Sequence, residues 1–203
     1  MLYARSDSVR AIYVRNGHDI PMMVLETERV ILRWLSVDDE DFILNLLNQP
    51  SFIQYIGDRG VKNLSDARLY IESRFVESYR RFGFGLYLVE LKEYKTSIGI
   101  CGFVKRDTLP DADIGFAFLP QYCSQGYAFE SARAVFDYGK NILGFKRILA
   151  ITTKDNESSC KLLAKIGFKF ERMIKLPNEE DENKLFSSDV QQVSGREAKH
   201  LFF

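Results

Sequence analysis

Histidine is almost missing from these 203 residues: only His18 and His200 occur, one near each end. A Ser-His-Asp or Cys-His site needs an imidazole beside its nucleophile, so triad chemistry finds no support in the body of the chain. The three cysteines, Cys101, Cys123 and Cys160, are odd in number and widely spaced. With no C-x-x-C pair they argue against a disulfide framework or a structural zinc site. No H-E-x-x-H and no Cys/His cluster points to a metal, so none is expected. Lys plus Arg equals Asp plus Glu at 28 each, which leaves no global field for nucleic acid or an anionic membrane. No apolar run approaches the roughly 18 residues of a membrane helix, and the opening MLYARSDSVRAIYVRNGHDIPMM lacks a signal peptide's apolar stretch. A cytoplasmic monomer or homodimer, with no nucleic-acid or membrane partner, is the expectation. Two phosphate-binding patterns are missing as well, G-x-x-x-x-G-K-[ST] and a G-x-G-x-x-G after a strand, which weakens the case for ATP and dinucleotides.

What is present suits one globular domain, with 46% hydrophobic and 28% charged residues. Residues 1–24 hold no sustained period and read as an arm, 25–189 as the domain and 190–203 as a tail. Alternation predicts a strand over 25–35. Ser36, the acids after it and a stripe of Phe42, Leu46 and Leu47 predict a helix that stops before Pro50. A second helix over 63–83 has Ser65 as a possible cap, a face of Leu69, Phe75, Val76 and Tyr79, and Gly83 as its end. Runs at 84–92, 97–107 and 111–119 read as an antiparallel meander. A helix from 127 follows, with Ala128, Ala132, Val135 and Phe136 on its apolar side and Ser131, Arg133, Asp137 and Lys140 on its polar side. Then come a strand (146–153), a helix (157–167) and strands at 168–176 and 183–190. The order implies an α/β fold: a mixed, mostly antiparallel sheet of about seven strands with helices on both faces.

The stretch LPQYCSQGYAFESA (119–132) places small or unhindered residues where a strand gives way to a helix. A helix start exposes unpaired N–H groups and the positive end of its dipole. Ser124, Gly126 and Ala128 would let the amides of about 124–129 converge into a nest for a diphosphate. The alternative is simpler: Ser124 or Gln125 caps the helix and Gly126 turns the chain.

IGFAFLPQYCSQGYAFESARAVFDYG, followed by ITTKDNESSCKLLAKIGFKFE, resembles the central half of the GNAT superfamily of N-acetyltransferases, Rim-type (ribosomal-protein N-terminal acetyltransferase-like) branch. ETERVILRWL and QYIGDR are similar to that branch's opening, and the resemblance spans roughly residues 25–189. Its pyrophosphate signature falls on Cys123, Ser124, Gln125, Gly126, Tyr127 and Ala128, with Phe129 next in the helix. The sequence departs from the branch at Cys123, at Ser124 where Gly is usual and at Gln125 where Lys or Arg is common. Backbone cradling survives these changes better than a side-chain phosphate contact.

The resemblance implies acetyl-CoA as cosubstrate. Its pantetheine arm would add like a strand between two parallel strands that splay apart, near Phe116, Ala117 and Phe118, with a backbone N–H near Phe118 holding the oxyanion. Asn156 matches the family's Asn that bonds the pantetheine or the leaving-sulfur region; it also reads as a plain N-cap. Ser159 matches a Ser of this branch and is a candidate donor to the sulfur, or simply first-turn helix polarity. The Glu and Tyr used as base and acid by some N-terminal acetyltransferases would fall at Ile151 and Leu163, so that mechanism does not carry over. Asp113, and after it Asp111, are candidates to act through a water, or solvated acids at a strand's mouth. Glu179, Glu180, Asp181 and Glu182 form a solvated turn or edge the cleft of a cationic acceptor, and 58–60 are placed by the resemblance on the acceptor side. The expected activity is acetyl transfer to a primary amine, a protein N-terminus or a small molecule. The alternative is a non-catalytic acyl-CoA-binding, sensing or interaction domain of the same fold.

Overall fold

The computed structural model describes residues 22–177 and 181–188, together with the backbone of two short strands before them, Arg5–Ser6 (β1) and Val9–Ala11 (β2). The expected tail and both histidines lie outside the described residues. β3 (Met23–Glu26) and β4 (Val30–Arg33) form a hairpin where alternation predicts one strand. The turn between them has neither Gly nor Pro to announce it. Thr27 closes it instead: its N–H donates to the Val30 carbonyl at 2.9 Å, and the Val30 N–H donates to Thr27 Oγ1 at 3.1 Å. β3 begins inside the stretch read as an arm, and β2 pairs with it, so that stretch supplies strands to the sheet.

The first helical layer holds one helix more than expected, and two readings of it are corrected. A 3₁₀ turn (Val37–Asp39) leads into α1 (Glu40–Leu47), which stops before Pro50 as expected; Pro50 then opens the additional helix, α2 (Pro50–Tyr55). Gln49 before it is extended, and Pro at the first helical position lacks only an N–H that would be orphaned anyway. Asn63, not Ser65, caps α3 (Leu64–Tyr70), its side chain accepting from the Asp66 N–H at 3.0 Å. α3 continues without a break through a π turn (Ile71–Val76) into α4 (Glu77–Phe82). The wider turn changes the angular step along the helix. Phe75 and Tyr79 therefore reach the core while Leu69, expected on their face, is 62% exposed.

The remaining elements fall where expected: β5 (Leu86–Leu91), β6 (Ser97–Val104), β7 (Asp113–Phe118), α5 (Tyr127–Asn141), β8 (Leu149–Thr153), α6 (Glu157–Ile166), β9 (Lys169–Lys175) and β10 (Glu182–Ser187). The sheet runs β1-β2-β3-β4-β5-β6-β7-β8-β10-β9. Every neighbour is antiparallel except β7 and β8, which are parallel.

α5 is the helix that positions the candidate site, and it is pressed hard against the sheet. Ala132, Ala134, Val135 and Tyr138 are buried. Ser131, expected on the polar side, is fully buried too, because α5 packs against both the sheet and α6 and buries a broader face than its sequence pattern suggests. At Gly139 an added Cβ would lie 2.4 Å from Phe103 Cζ and 3.1 Å from Ile148 Cδ1. Phe103 has no room to retreat, being fully buried between Phe84 and Phe145. Helix propensity alone would favour Ala over Gly by about 1 kcal/mol, so Gly139→Ala isolates the close approach. Overpacking should outweigh propensity and leave a net loss of about 1–2 kcal/mol, read as a fall in Tm of roughly 2–8 °C. An unchanged or higher Tm would mean that α5 and Phe103 are not in tight contact.

Candidate functional site

β7 and β8 pair only at Asp113–Leu149 and Ile114–Ala150. Beyond those residues each strand keeps its outer neighbour, β6 and β10 respectively, and the two part. Alternate backbone groups on a strand face opposite neighbours. The Leu119 N–H donates to the Ile98 carbonyl on the β6 side at 2.9 Å, so Ala117 and Gly115 face β6 as well. The N–H and C=O groups of Phe116 and Phe118 face the gap. Of the three residues expected along the thioester, these two offer backbone hydrogen bonds there. Thr152 Oγ1 and Thr153 Oγ1, on β8 just past the last pair, are buried with no hydrogen-bond partner among the described residues. Buried hydroxyls in that state call for a partner.

At the end of β7 the chain makes a 3₁₀ turn (Pro120–Tyr122) and then a corner. Ser124 has φ +61°, a left-handed conformation uncommon for a residue with a Cβ. Gly126, also left-handed at φ +87°, is the N-cap of α5, and no side chain caps the helix. This removes the simpler reading of the stretch. Gln125 Nε2 turns back to donate to the Gln121 carbonyl at 2.7 Å, so neither Ser124 nor Gln125 serves as the cap. The first N–H of the helix region to find an acceptor is that of Glu130, donating to the Gly126 carbonyl at 2.9 Å. Those of Ser124, Gln125, Gly126, Tyr127, Ala128 and Phe129 donate to no acceptor among the described residues. A left-handed residue followed by a right-handed one brings successive N–H groups toward one concavity, and the helix dipole adds positive potential there. The Phe129 ring is engaged elsewhere, beneath Lys165 Nζ at 4.1 Å.

A group that sequence reasoning missed holds this corner from behind. Arg29, in the β3–β4 turn, donates from Nε to Glu130 Oε2 at 2.7 Å and from Nη1 to the Gln125 carbonyl at 3.0 Å. Its guanidinium also lies 4.4 Å from the centroid of the Tyr127 ring. The Arg29 N–H and Thr27 Oγ1 both donate to Glu130 Oε1, at 2.9 and 2.6 Å. The partners are about a hundred residues apart, so no local spacing announces them.

α6 presents two more candidates. Asn156 is its N-cap, with Oδ1 accepting from the Ser159 N–H at 3.0 Å. Its Nδ2 donates to no acceptor among the described residues, so capping leaves a donor over. Ser159 is half-buried, and its Oγ makes no hydrogen bond among the described residues. Ile151 and Leu163 are apolar, and Leu163 is buried.

Asp113 is a correction. The register sets it on the same sheet face as Val104 and Leu149, opposite the Ile114, Phe103 and Ala150 face that α5 covers. Its side chain is 3% exposed and accepts from Arg106 Nε at 3.0 Å. Burial pushes its carboxyl up, while the Arg106 charge and hydrogen bond draw it back. Asp111 sits 3.8 Å from Arg147. Asp113 is therefore not a free, solvated acid, while Asp111 remains one-third exposed. On the helical side, Asp58, Arg59 and Gly60 border an open hollow of about 440 Å³ with Leu69, Tyr70 and Arg74. Glu179 and Glu180 lie outside the described residues; Asp181 is exposed, and Glu182 lies 3.4 Å from Lys154 Nζ.

Residues 29–169 match the family model of the acetyltransferase (GNAT) domain. Over 153 residues the chain is 30% identical to the uncharacterized N-acetyltransferase YoaA of Bacillus subtilis, covering 75% of this chain and 86% of that one. It is 29% identical to the spermidine N(1)-acetyltransferase of Escherichia coli over 70% of this chain and 74% of the other. Among solved structures, the ribosomal-protein alpha-N-acetyltransferase RimL superimposes with a TM-score of 0.71 at 15% identity, over 86% of this chain and 97% of its own. RimL has also been solved in complex with coenzyme A.

The ion pair behind the corner has a signature in pH. Burial alone would raise the Glu130 carboxyl, but hydrogen bonds from Thr27, the Arg29 amide and the Arg29 guanidinium, together with its charge, hold it below the ordinary range. A carboxyl depressed on folding adds stability above its unfolded value, about 4.3 for Glu, and loses it as pH falls through the lower folded value. Glu130→Gln should therefore melt below the parent at pH 7, and the difference should shrink as the pH drops from about 4.3. A difference constant from neutral pH to pH 3 would refer the loss to shape rather than ionisation.

Proposed function

The chain belongs to the GNAT acetyltransferase family and is an N-acetyltransferase; from that premise we propose that it moves the acetyl group of acetyl-CoA to a primary amine by direct attack. The observation that carries the coenzyme assignment is the run of unpartnered N–H groups from Ser124 to Phe129 at an uncapped, left-handed helix start. They would hold the diphosphate without a basic side chain in the loop. The pantetheine amides would pair with the backbone groups of Phe116 and Phe118 that face the gap, and Asn156 Nδ2 would bond the arm where it reaches α6. Ala117 lines the strand between, its own backbone turned to β6.

In this scheme the neutral amine attacks the thioester carbonyl. The new C–N bond forms as the C–S bond breaks, and charge gathers on the carbonyl oxygen, where the Phe118 N–H would stabilise it. Ser159 Oγ would donate a hydrogen bond to the departing sulfur. With Ile151 and Leu163 apolar and Asp113 locked to Arg106, none of these three positions takes the amine's proton, which would pass to water. Asp113 then serves as the buried partner of Arg106 rather than as a base. The acceptor is a protein N-terminal amine, as for RimL, or a small amine, as for the spermidine enzyme; the Rim-type branch and a cytoplasmic setting accompany the first.

Titration calorimetry with acetyl-CoA and CoA, and with ATP as control, tests the coenzyme assignment. Both coenzymes should bind at one per chain and ATP should not. Gly126→Asp, which brings a carboxylate to the anion site, should weaken CoA binding by at least a hundredfold; unchanged affinity would sink the diphosphate assignment. Asn156→Asp keeps an N-cap acceptor but removes Nδ2, so it should leave Tm within a degree or two while lowering turnover about tenfold or more. Equal turnover would return Asn156 to capping alone.

Without a fixed base, kcat/KM should rise with pH until the acceptor amine is mostly neutral. It should level at about pH 9 for an α-amine and above about pH 11 for an alkyl amine. A plateau well below the amine's own pKa would reveal an enzymic base.

A further inference from the structure

The loop before α5 bonds to itself in its first half, where the Tyr122 N–H donates to the Leu119 carbonyl and the Cys123 N–H to the Pro120 carbonyl, but from Ser124 to Phe129 no backbone N–H finds an acceptor among the described residues. Ser124 and Gly126 are both left-handed, no side chain caps α5, and Gln125 spends its side chain on Gln121. The contacts that reach the loop from elsewhere converge on Arg29, and we infer that Arg29 is the positioning residue of the coenzyme cradle, holding its amides convergent through Gln125, Tyr127 and Glu130. The inference rests on the acetyl-CoA reading above.

Four observations carry it. Nη1 fixes the Gln125 carbonyl at 3.0 Å, in the middle of the unpartnered amides. Nε holds Glu130 in the first turn of α5 at 2.7 Å. The planar face covers Tyr127. Nη2, which has no acceptor among the described residues, lies 3.1 Å from where a Cβ on Gly126 would stand. The guanidinium is therefore wrapped by the corner on three sides, and a planar fork with fixed donor directions sets the geometry of all three contacts at once. Arg29 is itself anchored. Its N–H donates to Glu130, its carbonyl accepts from the Lys92 N–H at 3.0 Å, and Lys92 Nζ donates to the Thr27 carbonyl at 2.8 Å. The β3–β4 turn thus ties the helix start to β5. The side chain stays 42% exposed, more open than a fully buried ion pair.

Arg29→Lys, Thr27→Val and the wild type would be titrated with CoA and, in parallel, with S-acetylpantetheine, which lacks the nucleotide diphosphate. Lys keeps the charge but cannot reproduce the fork, and Thr27→Val removes one support of Glu130 together with the side-chain bonds that close the turn carrying Arg29. The expected result is a CoA Kd about tenfold higher for Arg29→Lys and about threefold higher for Thr27→Val. The S-acetylpantetheine Kd should stay within twofold, and melting curves should show both variants folded. A CoA Kd unchanged in a folded Arg29→Lys overturns the inference while leaving the acetyl-CoA reading intact. Parallel weakening of both ligands also overturns it, because general loosening of the fold would act on both. Should Arg29→Lys fail to fold, Arg29→Gln, which keeps a planar donor but not the fork, is titrated in its place and decides by the same comparison. A wild type that binds S-acetylpantetheine but not CoA would remove the cradle itself, and the inference with it.

Discussion

β7 and β8 pair at two positions and then separate, and the candidate chemistry is arranged around that separation. Neither strand is loose. β7 is paired along its length to β6, from Asp113–Val104 to Phe118–Gly99, and β8 is paired to β10 from Leu149–Ser187 to Thr153–Asn183. Each follows its own partner, so the parting is imposed by two well-formed ladders that diverge. Its consequence is backbone at Phe116 and Phe118 that meets no partner on the gap side among the described residues. Such groups are costly to leave unpaired, and a ligand with amides along its length is the partner that would satisfy them.

The helix that follows β7 turns the separation into a site with two ends. α5 follows β7 after the turn and corner at 119–126 and packs against β6 and β7. Two unlike contacts set its position. At the far end there is shape, with Gly139 letting the helix backbone sit against Phe103 and Ile148. At the near end there is polarity, in the Thr27, Arg29 and Glu130 cluster. Packing fixes the helix axis, while the polar cluster fixes where the first turn and its amides point. A helix held only by its apolar face would leave the Ser124–Gly126 corner free to relax from two left-handed conformations.

How much of this the sequence disclosed depends on the range of the interaction. Strands of 5–8 residues with alternating or continuous apolar patterns were readable, as were Gly126 at the corner and Asn156 at a helix start, because each is a local signal. The hairpin at Thr27 was not, since a threonine that closes a turn through its own hydroxyl looks like any β-branched strand residue. α2 was hidden because Pro at position 50 ends one helix or begins another with equal ease. The π turn was hidden because one extra residue per turn leaves composition unchanged, and Leu69 moved to the surface as a result. Arg29 and Asp113 were misjudged or missed because their roles are set by partners on other strands and helices. An acid near a strand's start reads as solvated until Arg106 is seen to cover it.

The apolar residues at Ile151 and Leu163 bear on how such a site can work. A fixed base speeds attack by holding a proton acceptor in place. Without one, the protein's contribution is to bring a neutral amine and a thioester together and to stabilise the oxygen that takes up charge, which are effects of position and preorganised dipoles. Those are the effects that rigid backbone supplies well: N–H groups at Phe118, held by a six-residue ladder to β6, and amides at 124–129, held through Arg29. In a site built this way, the residues with the largest influence on rate need not be acids or bases. They are the ones that keep backbone dipoles aimed: Gly139 by letting α5 close on the sheet, and Thr27 and Glu130 by bonding within the cluster that holds the first turn of α5.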